Sequence, residues 1–196
     1  MKKLSTYLFL LLFSFQTSSW ADDISDFQIE GMSVGDSLLD YFSETEIKKN
    51  KPPYEYNDNK FSFFEIHNPS KFENYDGLQI GYKTNDKNYI IYGIAGGIFY
   101  EDNIDECFTK KNKIELEVSE LFNNLEKEDL GRTKHPQDKS GKSTVEGIYL
   151  NFKSGSYIRI SCYDWSKEFE KKNWLDALRV EIYTNEFDRW INVINK

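Results

Sequence analysis

Cys107 and Cys162 are the two cysteines of this 196-residue chain. A cysteine can ligate a metal, attack as a thiolate or pair. Redox catalysis calls for a close partner, as in a C-x-x-C spacing, and neither cysteine has one. Only one intramolecular pairing exists. Closing a loop across a separation of 55 residues contributes about 4 kcal/mol in the chain-entropy model. The expectation is a structural disulfide, Cys107–Cys162, with a metal site or free thiols as the alternatives.

Other groups invite a chemical reading. Ser140-Gly141-Lys142-Ser143-Thr144 contains the Gly-Lys-Ser that ends a phosphate-binding loop, in which backbone amides cradle phosphates and the lysine meets their charge. The first glycine of that motif would fall on Pro136, which has no backbone donor, so the segment reads as an ordinary loop. The two histidines, His67 and His135, lack any close ligand spacing. They read as solvated or hydrogen-bonded groups, and neither a metal nor a cofactor is expected. Asp164 stands beside Trp165. A glycosidase needs two carboxylates about 5–10 Å apart, and an aromatic wall raises a carboxyl pKa; the competing reading is a strand-end acid beside a core tryptophan. Gly93-Ile94-Ala95-Gly96-Gly97 is read as a bulge bending its strand. No catalytic residue is assigned.

These residues must be positioned by the elements around them. Leu38, Leu39, Phe42 and Ile47, with the capping box Ser43-x-x-Glu46, predict two short helices before Pro52-Pro53. Strands are expected at 61–67, 78–83 and 89–94, the last continuing as 98–100, with Asn68-Pro69, Asp76-Gly77 and Asn85-Asp86 as turns. The clearest helix runs from Asn103 to about Asn124 and carries Cys107 on its apolar stripe. A polar loop, 126–143, follows, read as either a binding loop or a merely mobile one. Strands at 145–153, 157–165 and 177–183 come next. In the last of these Leu178, Val180 and Ile182 point one way and Arg179, Glu181 and Tyr183 the other. Phe187, Trp190, Ile191 and Ile194 recur at helical spacing behind Thr184 or Asn185 as N-cap. The order predicts one α+β domain, residues 22–196: an antiparallel sheet of about six strands, helices packed on one face, with the order of a diverged duplication of a helix plus three-strand unit.

Met1–Ala21 has the layout of a secretory signal peptide: Lys2 and Lys3, the apolar run Tyr7–Phe15, and Ser19-Trp20-Ala21 as a cleavage site. That run is shorter than the roughly 20 residues of a membrane-spanning helix. Cleavage would leave 23 basic against 33 acidic residues, a formal charge of about −10, which disfavours nucleic acid and anionic lipid as partners. No cysteine stands at the cleavage point, so no lipid anchor is expected. The 16% aromatic content accompanies heavy use of Lys, Asn and Ile, a pattern that AT-rich codons also produce.

Gly31-Met32-Ser33-Val34-Gly35-Asp36-Ser37-Leu38-Leu39, the Asp105-x-Cys107 helix and Ser161-Cys162-Tyr163-Asp164-Trp165 resemble uncharacterised exported proteins of AT-rich marine alphaproteobacteria, a resemblance that implies export and no particular activity. Gly31 to Phe42 is also similar to the Gly-Met-Ser/Thr helix pair that opens domains of the β-lactamase-inhibitor-protein and outer-membrane-assembly-lipoprotein type. That similarity implies protein binding rather than catalysis. The expectation is a non-catalytic soluble periplasmic or secreted protein that binds another envelope or secreted protein or an envelope component. A small-molecule or carbohydrate carrier is the first alternative, and a hydrolase built on dispersed carboxylates around Asp164 the second.

Overall fold

A computed structural model describes residues 23–54, 58–68, 70–100, 103–122 and 125–194. The signal-peptide reading of Met1–Ala21 lies outside the described residues, as do Pro69 and Asn124. Among the described residues no helix is long and apolar enough to cross a membrane.

Local chemistry sets the N-terminal unit. Ser37 caps a single 3-10 turn, Leu38–Asp40, through the Leu39 amide. Ser43 and Glu46 form the expected capping box at the start of α1, Glu44–Lys49, each partner satisfying an amide that the first helical turn leaves open. Leu38, Phe42 and Ile47 are thereby buried. Glu30, at φ 52°, reaches back to accept the amides of Glu73, Asn74 and Tyr75 at 3.0, 2.7 and 3.2 Å, which pins this unit to the loop after the first strand.

Seven strands form one antiparallel sheet: β1 (Phe61–His67), β2 (Gly77–Lys83), β3 (Ile91–Tyr100), β4 (Glu126–Lys134), β5 (Thr144–Asn151), β6 (Tyr157–Asp164) and β7 (Asp176–Tyr183). Their spatial order is β1-β2-β3-β7-β6-β5-β4. Two meanders therefore meet at the central β3–β7 pair, where Ile94 faces Ile182 and Gly97 faces Arg179. α2, Ile104–Leu121, links the meanders, and its Cys107 and Val118 join the main core with Leu178, Val180, Ile182, Ile158 and Ile160. The Cys107–Cys162 disulfide fastens α2 to β6, with the two Cα atoms 6.0 Å apart. Beneath the same helix the buried Lys111 meets Glu146 of β5 at 3.2 Å, and Arg132 of β4 meets that carboxylate at 3.3 Å.

The α+β class is as expected, with seven strands rather than about six. The additional strand, β4, occupies the first half of the segment expected to be a polar loop. Its sequence, Glu-Lys-Glu-Asp-Leu-Gly-Arg-Thr-Lys, shows no apolar alternation because every residue of it is exposed. An edge strand paired on one side only can be made of charge, and charge there discourages pairing with other chains. A bulge between Asp129 and Gly131 (φ 57°) bends it.

α4, Asn185–Ile194, also departs from the one-face expectation. Thr184 caps it through the Phe187 amide, and Phe187 lies on the sheet face opposite α2, in a second cluster with Phe61, Phe63, Tyr157, Tyr183 and Trp190. The glycine-rich segment explains the placement. Gly93 belongs to a continuous β3, and a Cβ there would stand 2.7 Å from the Phe187 ring; one at Gly96 would stand 2.6 Å from Tyr75 on the other face. Gly93 and Gly96 answer to crowding, and the bulge lies at the start of this segment, where Ile91, Tyr92 and Gly93 of β3 oppose only Tyr82 and Gly81 of β2. A short helix, α3 (Lys167–Glu170), follows β6.

Candidate functional site

Strand alternation divides the sheet into two faces. Leu178, Val180 and Ile182 of β7 enter the core under α2, and Ala177, Arg179, Glu181 and Tyr183 emerge on the other side. α4 covers only the Tyr183 end of that second face. The remainder is a trough of about 1240 Å³, continuing toward β1 as a further 380 Å³ that shares Gln79, Phe99, Ala177 and Arg179 with it.

The floor of the trough is shaped by one row of the sheet. In register, Gly131, Gly147, Ser161, Arg179, Gly97, Gly77 and His67 succeed each other from β4 to β1. Between the two end strands Arg179 is the long side chain of that row. A Cβ placed on Gly97 would be in ordinary contact with the Phe99 ring at 3.8 Å and meet nothing closer, so the glycine keeps the floor low beside Arg179.

A polar network fixes the charges. Glu181 is buried, and its carboxylate faces Arg179 at 3.2 Å and Arg159 of β6 at 3.5 Å. Tyr183 donates its hydroxyl to Glu181, Arg159 Nε donates to Ser161 Oγ at 3.0 Å, and Arg179 donates to Gln79 at 3.2 Å. Gln79 in turn donates to Glu65, which also accepts the Tyr54 hydroxyl. Removal from water is the largest single influence on both arginines and opposes their charge, but Glu181 and the neighbouring tyrosine hydroxyls together raise their pKa, keeping them ionised. Glu181 Oε2 has no hydrogen-bond partner among the described residues. The charged side chains lining the larger trough are Lys139, Arg159, Arg179 and Glu181, three cations to one anion, on a chain whose net charge is −8.

Aromatic rings form the walls. On one side Tyr149, Tyr157 and Tyr183 stand edge to face or tilted, with centroids 5.0 and 5.7 Å apart; burial pushes their hydroxyl pKa values up. On the other, Trp165 lies parallel to Tyr163 at 6.2 Å and packs on Trp174 at 4.5 Å. His135 sits 4.4 Å from the Trp165 ring, where burial, assisted by Arg159, lowers its pKa and keeps it neutral at pH 7. Phe99 and Trp174 remain 37% and 39% exposed at the rim, apolar surface left for a ligand to cover.

The residues singled out from sequence fall as follows. His67 and His135 end up on the same sheet face, toward opposite ends of the trough, and among the described residues no three acidic, histidine or cysteine side chains gather as metal ligands. The Ser140–Thr144 segment is a turn organised by Asp138, whose carboxylate accepts from the amides and hydroxyls of Ser140 and Ser143 at 2.6–2.9 Å. Those amides are committed, and the hydroxyl and amide bonds hold the Asp138 pKa well below the usual carboxylate range. Asp164 follows Tyr163 on β6, so alternation turns it to the face away from the trough; it lines a separate depression of about 490 Å³ and accepts from Thr144 at 3.4 Å. The second half of the segment read as either a binding or a mobile loop borders the trough, through His135, Pro136, Gln137 and Lys139. Nothing in the sequence marks Arg159 or Trp174, whereas strand alternation places Arg179, Glu181 and Tyr183 on one face. Compared with protein-family models, curated proteins and solved structures, the chain has no match.

Proposed function

We propose that this is a non-catalytic binding protein of an extracytoplasmic compartment, and that the trough on the second sheet face is where it grips a partner protein. The observation that carries the reading is the composition of the trough: tyrosine, tryptophan and arginine around a sunken floor, the residue types that dominate protein-binding hot spots. Its volume exceeds the roughly 300–1,000 Å³ of small-molecule pockets and it is open to solvent, which favours a protruding polypeptide segment over an enclosed carrier ligand. The signal-peptide pattern, the disulfide and the likeness of Gly31–Phe42 to inhibitor-type domains support export and protein binding.

The test is native mass spectrometry of the protein purified from the cells that make it. A co-purifying polypeptide mass is expected on the wild type and on Leu116→Ala/Leu121→Ala, which alters exposed residues of α2, and is expected to vanish from Phe99→Ala/Trp174→Ala. Retention of that mass by the trough variant, or a wild type that is bare throughout, contradicts the reading.

A further inference from the structure

Resting on that reading, we propose that the trough recognises an acidic side chain, an Asp or Glu flanked by apolar residues on a protruding segment of the partner, and that Arg159 and Arg179 receive its carboxylate. Arg179 stands in the glycine row, where Gly97 on the neighbouring strand keeps the floor low beside it. Arg179 lines the trough and keeps 35% side-chain exposure while pairing with Glu181 and Gln79, so a partner side chain can approach it from the open side. Both arginines are only partly buried, at 22% and 35% side-chain exposure, whereas Glu181 beneath them is 5% exposed.

Glu181 acts as a positioning residue. One carboxylate between two guanidiniums orients both forks and leaves one positive charge without a partner within that trio. Arg pairs with carboxylates through parallel N–H donors, so a fixed fork selects an acid by geometry as well as by charge. Lys139 at the rim adds to the positive field. Glu65, the other acid of the network, lies at the far β1 end, taken up by Tyr54 and Gln79. The flanking walls of Tyr149, Tyr163, Trp165 and Trp174 lower the local dielectric, which strengthens an ion pair formed between them, and offer rings for apolar neighbours of the acid. A polypeptide accounts for both features in one ligand, an acid for the floor and apolar side chains for the walls.

A random dodecapeptide display library selected against the full-length secreted protein tests this. The expected result is enrichment of Asp or Glu at one position between apolar residues, with synthetic copies of the selected peptides binding Arg159→Gln and Arg179→Gln about tenfold or more weaker than wild type. Melting curves establish that each variant is folded, and Arg179→Lys, which keeps the charge but not the fork, separates charge from geometry. Selected peptides with no acidic preference, whose binding is still lost in Phe99→Ala/Trp174→Ala, overturn acid recognition and leave the trough as a protein-binding site. Peptides indifferent to every trough variant, or no selected peptide at all, overturn both. Calorimetry with trigalacturonate is the companion arm: binding that depends on both arginines, with no peptide selected, assigns the trough to an acidic glycan and overturns the polypeptide.

Discussion

Gly93 and Gly97 lie four residues apart on one strand, show the same residue type on the same sheet face, and do opposite things. At Gly93 an added methyl meets the Phe187 ring at 2.7 Å and Tyr183 at 3.0 Å; at Gly97 it meets nothing closer than 3.8 Å. Gly93→Ala should therefore cost about 1–3 kcal/mol in a urea melt, the range for overpacking a filled site. Gly97→Ala should move stability by less than about 0.5 kcal/mol. Equal losses in the two variants would mean that neither close approach nor open floor explains the glycines. Sequence alone marks these residues as unusual for a strand but cannot separate the two roles, because the difference lies in Phe187, ninety-odd positions away in the chain. The same limit hides Arg159. Its role comes from facing Glu181 across the β6–β7 register, whereas Arg179 and Glu181 are readable within β7 by alternation.

Among the elements, α2 was the most legible, because its apolar stripe and its cysteine coincide. Its disulfide bridges the linker between the meanders to β6, so it constrains the unfolded chain across the part of the sequence that contains β4 and β5. Cys107→Ser/Cys162→Ser should lose up to about 4 kcal/mol, visible as a lower urea midpoint, and adding reductant to the wild type should shift it in the same direction. Identical midpoints with and without the bond would show that it contributes nothing to stability. β4 was illegible for a physical reason. Strand patterns arise where one face is buried, and β4 buries neither; it is held by its pairing with β5 and by Arg132 reaching Glu146. α4 was legible as a helix but not in its placement, since its apolar stripe states that it packs and not on which face.

At the scale of the whole molecule, the two meanders meet edge to edge at β3 and β7, and the helices are unevenly shared between the faces. The N-terminal unit and α2 close one face over the main core. α4 covers one end of the other and leaves the Arg159–Glu181–Arg179 network and its aromatic walls accessible. A sheet face built only for stability would carry apolar residues under a cover, or short polar ones in water. Buried charge and half-exposed rings on an open face cost folding free energy, an expense that the proposed binding role would account for. The measurement that bears most directly on this account is photo-cross-linking in the cells that make the protein, with a benzophenone amino acid placed in turn at Trp174 on the trough rim and at Leu116 on the opposite face. The account predicts a discrete polypeptide adduct from position 174 and none from position 116. Adducts from position 116 alone, or equally from both, would contradict it.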